Sequence, residues 1–291
     1  MLLKRILTAL VLAAVAIAAI FVLPTIYFYL FIAIIVLIAA WEWTGLADTH
    51  STVEKLLFLV SLIVPMLAIT FWTQILEVVS QILEWPEIKT YSGVLEWLVI
   101  GPVLFWVMMM ILIRKVPEDL IKIKLQKRYK LFLGWFVLFS AWMFLTKLRA
   151  YYGSEAVMYF LALIWIADIA AYFSGKKFGK DKLAPEISPG KTTQGMYGAI
   201  ISAMVCAGLL SWYYSFPFMI ATDFGLLSIL TVLISIYGDL FFSLIKRQNG
   251  VKDSGSILPG HGGVLDRVDS VIAAAPFYYA GVILIGRSVF S

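Results

Sequence analysis

Between Ser243 and Asp269 the chain gathers four basic residues (Lys246, Arg247, Lys252, Arg267), three carboxylates (Asp253, Asp266, Asp269), a histidine (His261) and five glycines. Carboxylates at this density suit a hard divalent cation, which takes oxygen ligands and shares them with substrate phosphates. The bases suit the phosphates themselves. Glycines at 260, 262 and 263 let backbone N–H groups approach an anion closely and form a nest. The expected chemistry is metal-assisted transfer of a phosphoryl-type group, which needs no covalent nucleophile. A second polar stretch, Ser188-Pro189-Gly190-Lys191-Thr192-Thr193-Gln194-Gly195, has the residues of a phosphate-binding loop. It is not a P-loop: Pro185 stands where the first glycine of that motif should be, and no strand is expected before it. Its expected role is a Lys/Ser/Thr phosphate site at a helix N-terminus, carried by Ser188, Lys191 and Thr192. The alternative is a plain inter-helix turn.

These residues have to be held by a very apolar chain. Of 291 residues 62% are hydrophobic and 14% charged, with mean hydropathy +0.93, against about 25% charged in a soluble domain. The solvent is therefore lipid. Backbone groups in hydrocarbon must pair within the chain, leaving helices or closed barrels, and apolar runs of about 20 residues select helices. The expected fold is all-α and polytopic, with about nine transmembrane helices: 6–23, 25–43, 55–73, 93–113, 130–148, 155–174, 195–215, 223–244 and 268–290. The first run follows Lys4 and Arg5 as in a signal peptide, but the apolar run after Pro24 favours a retained span. Residues 74–91 are amphipathic and expected at the interface. Cys206, the single cysteine, allows no internal disulfide and is expected to pack in a helix.

With the N-terminus cytoplasmic, 19 of the 23 Lys and Arg residues fall on the inner side, the asymmetry expected of cytoplasmic loops. The loops 175–194 and 245–267 then face the cytoplasm. The loop 114–130, basic but without glycine, is expected to attract anionic headgroups. Residues 1–150 are expected to form a transmembrane scaffold and 151–291 the catalytic region.

Three acids lie within apolar runs. Asp168 and Asp239 are placed about one to two turns inside the cytoplasmic boundary, where an unpartnered charge costs several kcal/mol. Glu42, between Trp41 and Trp43, is expected to snorkel from an aromatic belt. Asp266 and Asp269, three apart, share one face of a helix start. Asp239 and Asp266 are the candidate Mg²⁺ ligands, with Asp269 and Asp168 nearby. Lys191, Lys246, Arg247, Lys252, Arg267, His261, Gly262 and Gly263 are candidates for the phosphates. A lone histidine in a glycine turn is more often structural. No Cys/His zinc pattern and no Gly-x-Ser-x-Gly elbow is present. Two other classes fit parts of this pattern: a nucleotide-dependent lipid kinase acting on a polyprenol-type alcohol, and a cation-coupled transporter with intramembrane carboxylates.

The run Ser243-x2-Lys246-Arg247-x4-Lys252-Asp253-x-Gly255-x2-Leu258-Pro259-x-His261-Gly262-Gly263-Val264-x-Asp266-Arg267-Val268-Asp269 resembles the signature of the phosphatidate cytidylyltransferases, or CDP-diacylglycerol synthases. Asp168, Ala171-Tyr172, Gly175, Gly179-Lys180 and Ser188-Pro189-x-Lys191-Thr192-x-Gln194-Gly195 agree with it. The resemblance covers about residues 155–290, with Thr193 departing from an aromatic position. It implies conversion of CTP and phosphatidic acid to CDP-diacylglycerol and pyrophosphate, with Mg²⁺ and with K⁺ able to share the metal site. It also implies a homodimer in a bacterial inner membrane, acting on membrane lipid. No nucleic acid is expected as a partner.

Overall fold

The computed structural model describes residues 2–258 and 262–286. Ten α-helices follow in order: α1 (Leu2–Val22), α2 (Thr25–Leu46), α3 (Thr52–Thr70), α4 (Trp72–Ile82), α5 (Ile100–Lys115), α6 (Pro117–Lys122), α7 (Lys127–Phe178), α8 (Thr193–Tyr213), α9 (Phe218–Gln248) and α10 (Leu265–Ile285). A 3-10 segment (Pro86–Val99) leads into α5, so the fourth apolar run starts its α-helix later than its hydropathy suggests. Among the described residues seven helices are long and apolar enough to cross a membrane. The two runs expected at 130–148 and 155–174 lie on one of these, α7, whose 52 residues are broken at Gly153 (φ 79°, ψ −172°). Only glycine reaches this conformation cheaply.

The expectation of an all-helical chain misses one element. Strands β1 (Lys182–Ala184) and β2 (Ser188–Thr192) pair antiparallel, with Lys182 opposite Thr192 and Ala184 opposite Ser188. A strand therefore does run directly into α8. The Thr192 hydroxyl caps that helix, accepting from the Gly195 amide at 3.1 Å. Gln194 clips the hairpin in place: its Oε1 accepts from the Lys180 and Asp181 amides (3.0 and 3.2 Å), and its Nε2 donates to Asp181 at 2.7 Å.

Helix α10 is the most enclosed span, with 61% of its apolar window buried, against α9, α7, α5 and α2. The α7–α8 crossing depends on missing side chains. A Cβ on Gly198 would collide with Ser174, and one on Gly175 would stand 2.8 Å from the Thr192 hydroxyl. Such small-residue contacts replace hydrophobic driving force where lipid is as apolar as the partner helix. Under α9 lies an aromatic cluster: the Trp43 ring stands 5.8 Å from Phe242 and the Trp106 ring 5.3 Å from Phe241, both edge to face.

Trp43 corrects the expected aromatic belt at the end of α2. It is fully buried, and its indole N–H donates to the Lys130 carbonyl at 2.9 Å. Gly134 leaves room for the ring. Trp41 alone behaves as an interface residue, exposed, with the Lys55 ammonium 5.0 Å from its ring centre.

Candidate active site

The C-terminal ends of α2, α7 and α9, the hairpin and the start of α10 meet at one end of the bundle. Hydrogen bonds tie them together: Lys191 to the Ile236 carbonyl (3.0 Å), Arg247 to the Ile187 carbonyl (3.3 Å), and Glu42 to the Val264 amide (3.0 Å). Asp239 and Asp168 lie nine and ten residues before the last residues of their helices. At 3.6 residues per turn that is about two and a half turns, deeper than the sequence suggests.

Asp239 bonds the Lys191 ammonium through Oδ2 at 2.7 Å and accepts from the Ser243 hydroxyl at 3.3 Å. Asp266 bonds the Lys246 ammonium through Oδ1 at 2.6 Å. The two pairs differ in access. Side-chain exposure is 10% and 8% for Lys246 and Asp266 but 25% and 33% for Lys191 and Asp239, so the first pair is sealed and the second open. Asp168 is exposed and within electrostatic reach of Lys191 and Asp239, on the open side. Asp269 is buried, accepts from the Ser270 amide at 2.8 Å, and interacts with Asp239, Lys246 and Lys191. Lys246 also lies within electrostatic range of Asp239. Four carboxylates and two ammonium groups thus form one electrostatic network, drawn from α7, α9, α10 and the end of β2.

Among the described residues no three His, Cys, Asp or Glu side chains stand close enough to form a ready metal cage. The four aspartates expected around one cation are instead interleaved with lysines. That arrangement still suits a cation, since two ammonium groups already lie among the acids. Mg²⁺ needs only one or two protein carboxylates, because it keeps waters and takes phosphate oxygens.

Gly263 departs from its expected role in an open anion nest, and Gly260 lies outside the described residues. The Gly263 amide donates to Asp266 Oδ2 at 3.0 Å, and the Ser254 amide to the same oxygen at 2.8 Å. The Leu258 amide donates to the Gly262 carbonyl at 2.9 Å, and Gly262 has φ +84°. Gly263 therefore serves a carboxylate of the chain itself, and Asp266 organises the loop as well as pairing with Lys246. Arg247, expected on phosphate, is exposed but directs Nε to Ile187 and Nη1 to Val251 (3.4 Å), pinning the hairpin to the end of α9. Thr192 spends its hydroxyl on the helix cap. Ser188 is half-buried on β2, while Lys252 and Arg267 are exposed on the loop and on the first turn of α10. His261 lies outside the described residues.

Glu42 is the residue whose place the sequence hides. It is buried, not snorkelling. Its Oε1 accepts from the Val264 amide, and its Oε2 from the Leu265 amide (2.8 Å) and the Ser254 hydroxyl (3.1 Å). The only signal was a carboxylate beside a tryptophan that turns out to be core.

The sequence profile of the Cytidylyltransferase family matches residues 3–285. A phosphatidate cytidylyltransferase of Haemophilus influenzae is 33% identical over 289 residues, 96% of this chain and 97% of that protein. One of Pseudomonas aeruginosa is 35% identical over 281 residues, 96% of each chain. One of Bacillus subtilis is 44% identical over 131 residues, 44% of this chain and 47% of its own. The similarity thus extends well beyond the C-terminal half to which the motifs pointed. The chain belongs to the cytidylyltransferase family.

Proposed function

We propose that the protein is a phosphatidate cytidylyltransferase: an oxygen of phosphatidate attacks the α-phosphorus of CTP, the bond to the β-phosphate breaks, and pyrophosphate leaves as CDP-diacylglycerol forms. The observation that carries this reading, beside family membership, is the open Lys191–Asp239 pair beside the sealed Lys246–Asp266 pair at one end of an apolar bundle. Two anions must meet there. Lys191, Lys246 and Arg267 supply positive charge for the phosphates and stabilise charge moving to the leaving group. Lys252 and Arg247 add to the positive field at the mouth, with Ser188, Thr192, Gly262 and Gly263 shaping the walls. Asp239 and Asp266 are the residues that would hold Mg²⁺, with Asp269 and Asp168 beside them and K⁺ sharing the acidic network. When bound, the metal neutralises charge between the two phosphates.

The membrane arrangement is proposed on the same footing. A straight helix of the length of α7 would span about 78 Å, far more than a hydrocarbon core of about 30 Å, so the break at Gly153 is read as a return between two crossings. Counting these separately, and α1 as a further span, gives nine crossings with the N-terminus cytoplasmic. The site then faces the cytoplasm, where CTP is, at the depth of lipid headgroups. Bacterial relatives support an inner-membrane location. A homodimer rests on the resemblance.

The test is an assay of purified protein with phosphatidate vesicles, Mg²⁺, and CTP labelled in cytidine or in the γ-phosphate. Cytidine label is expected in the lipid and γ label in pyrophosphate. Label from the γ-phosphate on lipid would mean a kinase, and absence of turnover would oppose the enzyme reading.

A further inference from the structure

We infer that Glu42 is a positioning residue for the reaction: a carboxylate from the N-terminal half that fixes where the start of α10 carries Asp266 and Arg267 in its first turn and Asp269 just beyond. The inference rests on the proposed function and deepens it.

Glu42 lies at the end of α2, 5% exposed, and among the described residues it forms no salt bridge to Lys or Arg. Its charge is met instead by the backbone N–H groups of Val264 and Leu265 and by the Ser254 hydroxyl, at 2.8–3.1 Å. A helix start carries partial positive charge and unpaired donors, and α10 has no side-chain cap of its own. Glu42 fills that place from another helix. The loop is built around it: a Cβ on Gly255 would stand 2.5 Å from Glu42 Oε1 and 2.8 Å from Cδ, and one on Gly263 would also collide with the carboxylate. These glycines make room for Glu42.

Ser254 couples the two acids, because its hydroxyl serves Glu42 while its amide serves Asp266. The turn is thereby held between carboxylates from α2 and α10. Glu42 in turn is fixed by its neighbour Trp43, buried in the aromatic cluster and bonded to the Lys130 carbonyl. A shift of Glu42 displaces the start of α10, and with it the hold on Lys246 and the direction of Arg267.

The experiment compares wild type with Glu42→Gln, Gly255→Ala, Glu42→Ala and the Glu42→Ala/Gly255→Ala double variant in the cytidine-label assay, with thermal unfolding followed on the same samples. For Glu42→Gln, kcat per folded molecule is expected to fall about 10–100-fold, the usual loss when a residue orienting a site is changed, while the KM for phosphatidate stays near wild type. Gly255→Ala should impair the wild type yet add nothing to Glu42→Ala, because the three atoms nearest to the added methyl all belong to Glu42. Wild-type kcat in Glu42→Gln, a loss that merely follows the unfolded fraction, or additive effects of Glu42 and Gly255 would each overturn the inference. Should Glu42→Gln not accumulate, Glu42→Asp, one methylene shorter, is read by the same criteria. A wild-type protein that makes no CDP-diacylglycerol overturns the proposed function instead. Amide exchange at Val264 and Leu265, slow in wild type and fast without Glu42, then still decides whether Glu42 holds the helix start.

Discussion

A lysine bonded to a buried aspartate does two jobs at once, and substitutions separate them. Lys246→Met leaves Asp266 unpaired in a sealed place, and breaking a buried pair costs about 3–5 kcal/mol. The expected result is a clear drop in the thermal midpoint. Adding Asp266→Asn should restore part of that stability, because both charges are then gone, without restoring turnover. Stability that falls further in the double variant would contradict the pairing. Asp239→Asn acts on the open side and is expected to cost at least about 100-fold in turnover, the scale of losing one group that stabilises reacting charge. Folding should be little affected there, since Asn still accepts from Ser243 and the Lys191 ammonium can turn to solvent. Unchanged activity would remove Asp239 from the site. Chelation of Mg²⁺ should abolish turnover in wild type, with recovery on adding Mg²⁺ back. Asp168 and Asp239 were legible in the sequence because a charge in an apolar run demands a partner, and Lys191 and Lys246 because they stand in the polar, glycine-containing stretches. Glu42 was not, because two tryptophans beside it imitate an interface belt. The roles of Asp266 and Gly263 were hidden too, since they depend on backbone donors that only the folded turn brings together.

At the scale of elements, the site is held by how closely α7 and α8 approach. Gly198 lies on α8 where a side chain would meet Ser174 and the Ala170 carbonyl. Gly198→Ala is therefore expected to destabilise the protein by about 1–3 kcal/mol through overpacking, seen as a lower thermal midpoint in detergent. Gly208, on the same helix, has open space around it. Gly208→Ala should leave stability unchanged or raise it by up to about 1 kcal/mol, the helix propensity of alanine over glycine. Equal effects at both positions would show that the crossing is not set by side-chain size. Hydropathy located the seven long apolar helices, because a segment in lipid has to satisfy its own backbone. It was silent on the hairpin at 182–192. Strands of three and five residues containing Pro189 and Gly190 carry no periodicity, and their pairing depends on Gln194 reaching back to Lys180 and Asp181.

For the whole molecule the decisive question is which side of the membrane the assembled site faces. The charge asymmetry and the network of Lys191, Lys246 and four aspartates make the same demand, since CTP is supplied from the cytoplasm. Both loops that enter the site leave the bundle at one end, so a single labelling experiment reads the orientation of all of it. Cys206 is the single cysteine, and replacing it with alanine gives a background without thiols. In that background Lys252→Cys places a thiol on the exposed loop after α9, and Lys89→Cys places one in the segment before α5. A membrane-impermeant maleimide should label position 252 in inside-out vesicles and not in intact spheroplasts, and position 89 in the opposite pattern. The two positions are separated by α5, by α7 with its break at Gly153, and by α8 and α9. If the break makes two crossings of α7, five passes intervene and the two labels fall on opposite sides. If α7 crossed once, four passes would intervene and both thiols would react from the same side. Labels on one side would therefore refute the nine-crossing arrangement, whereas opposite labels in the reverse sense would refute the cytoplasmic site while preserving the five passes between the two positions.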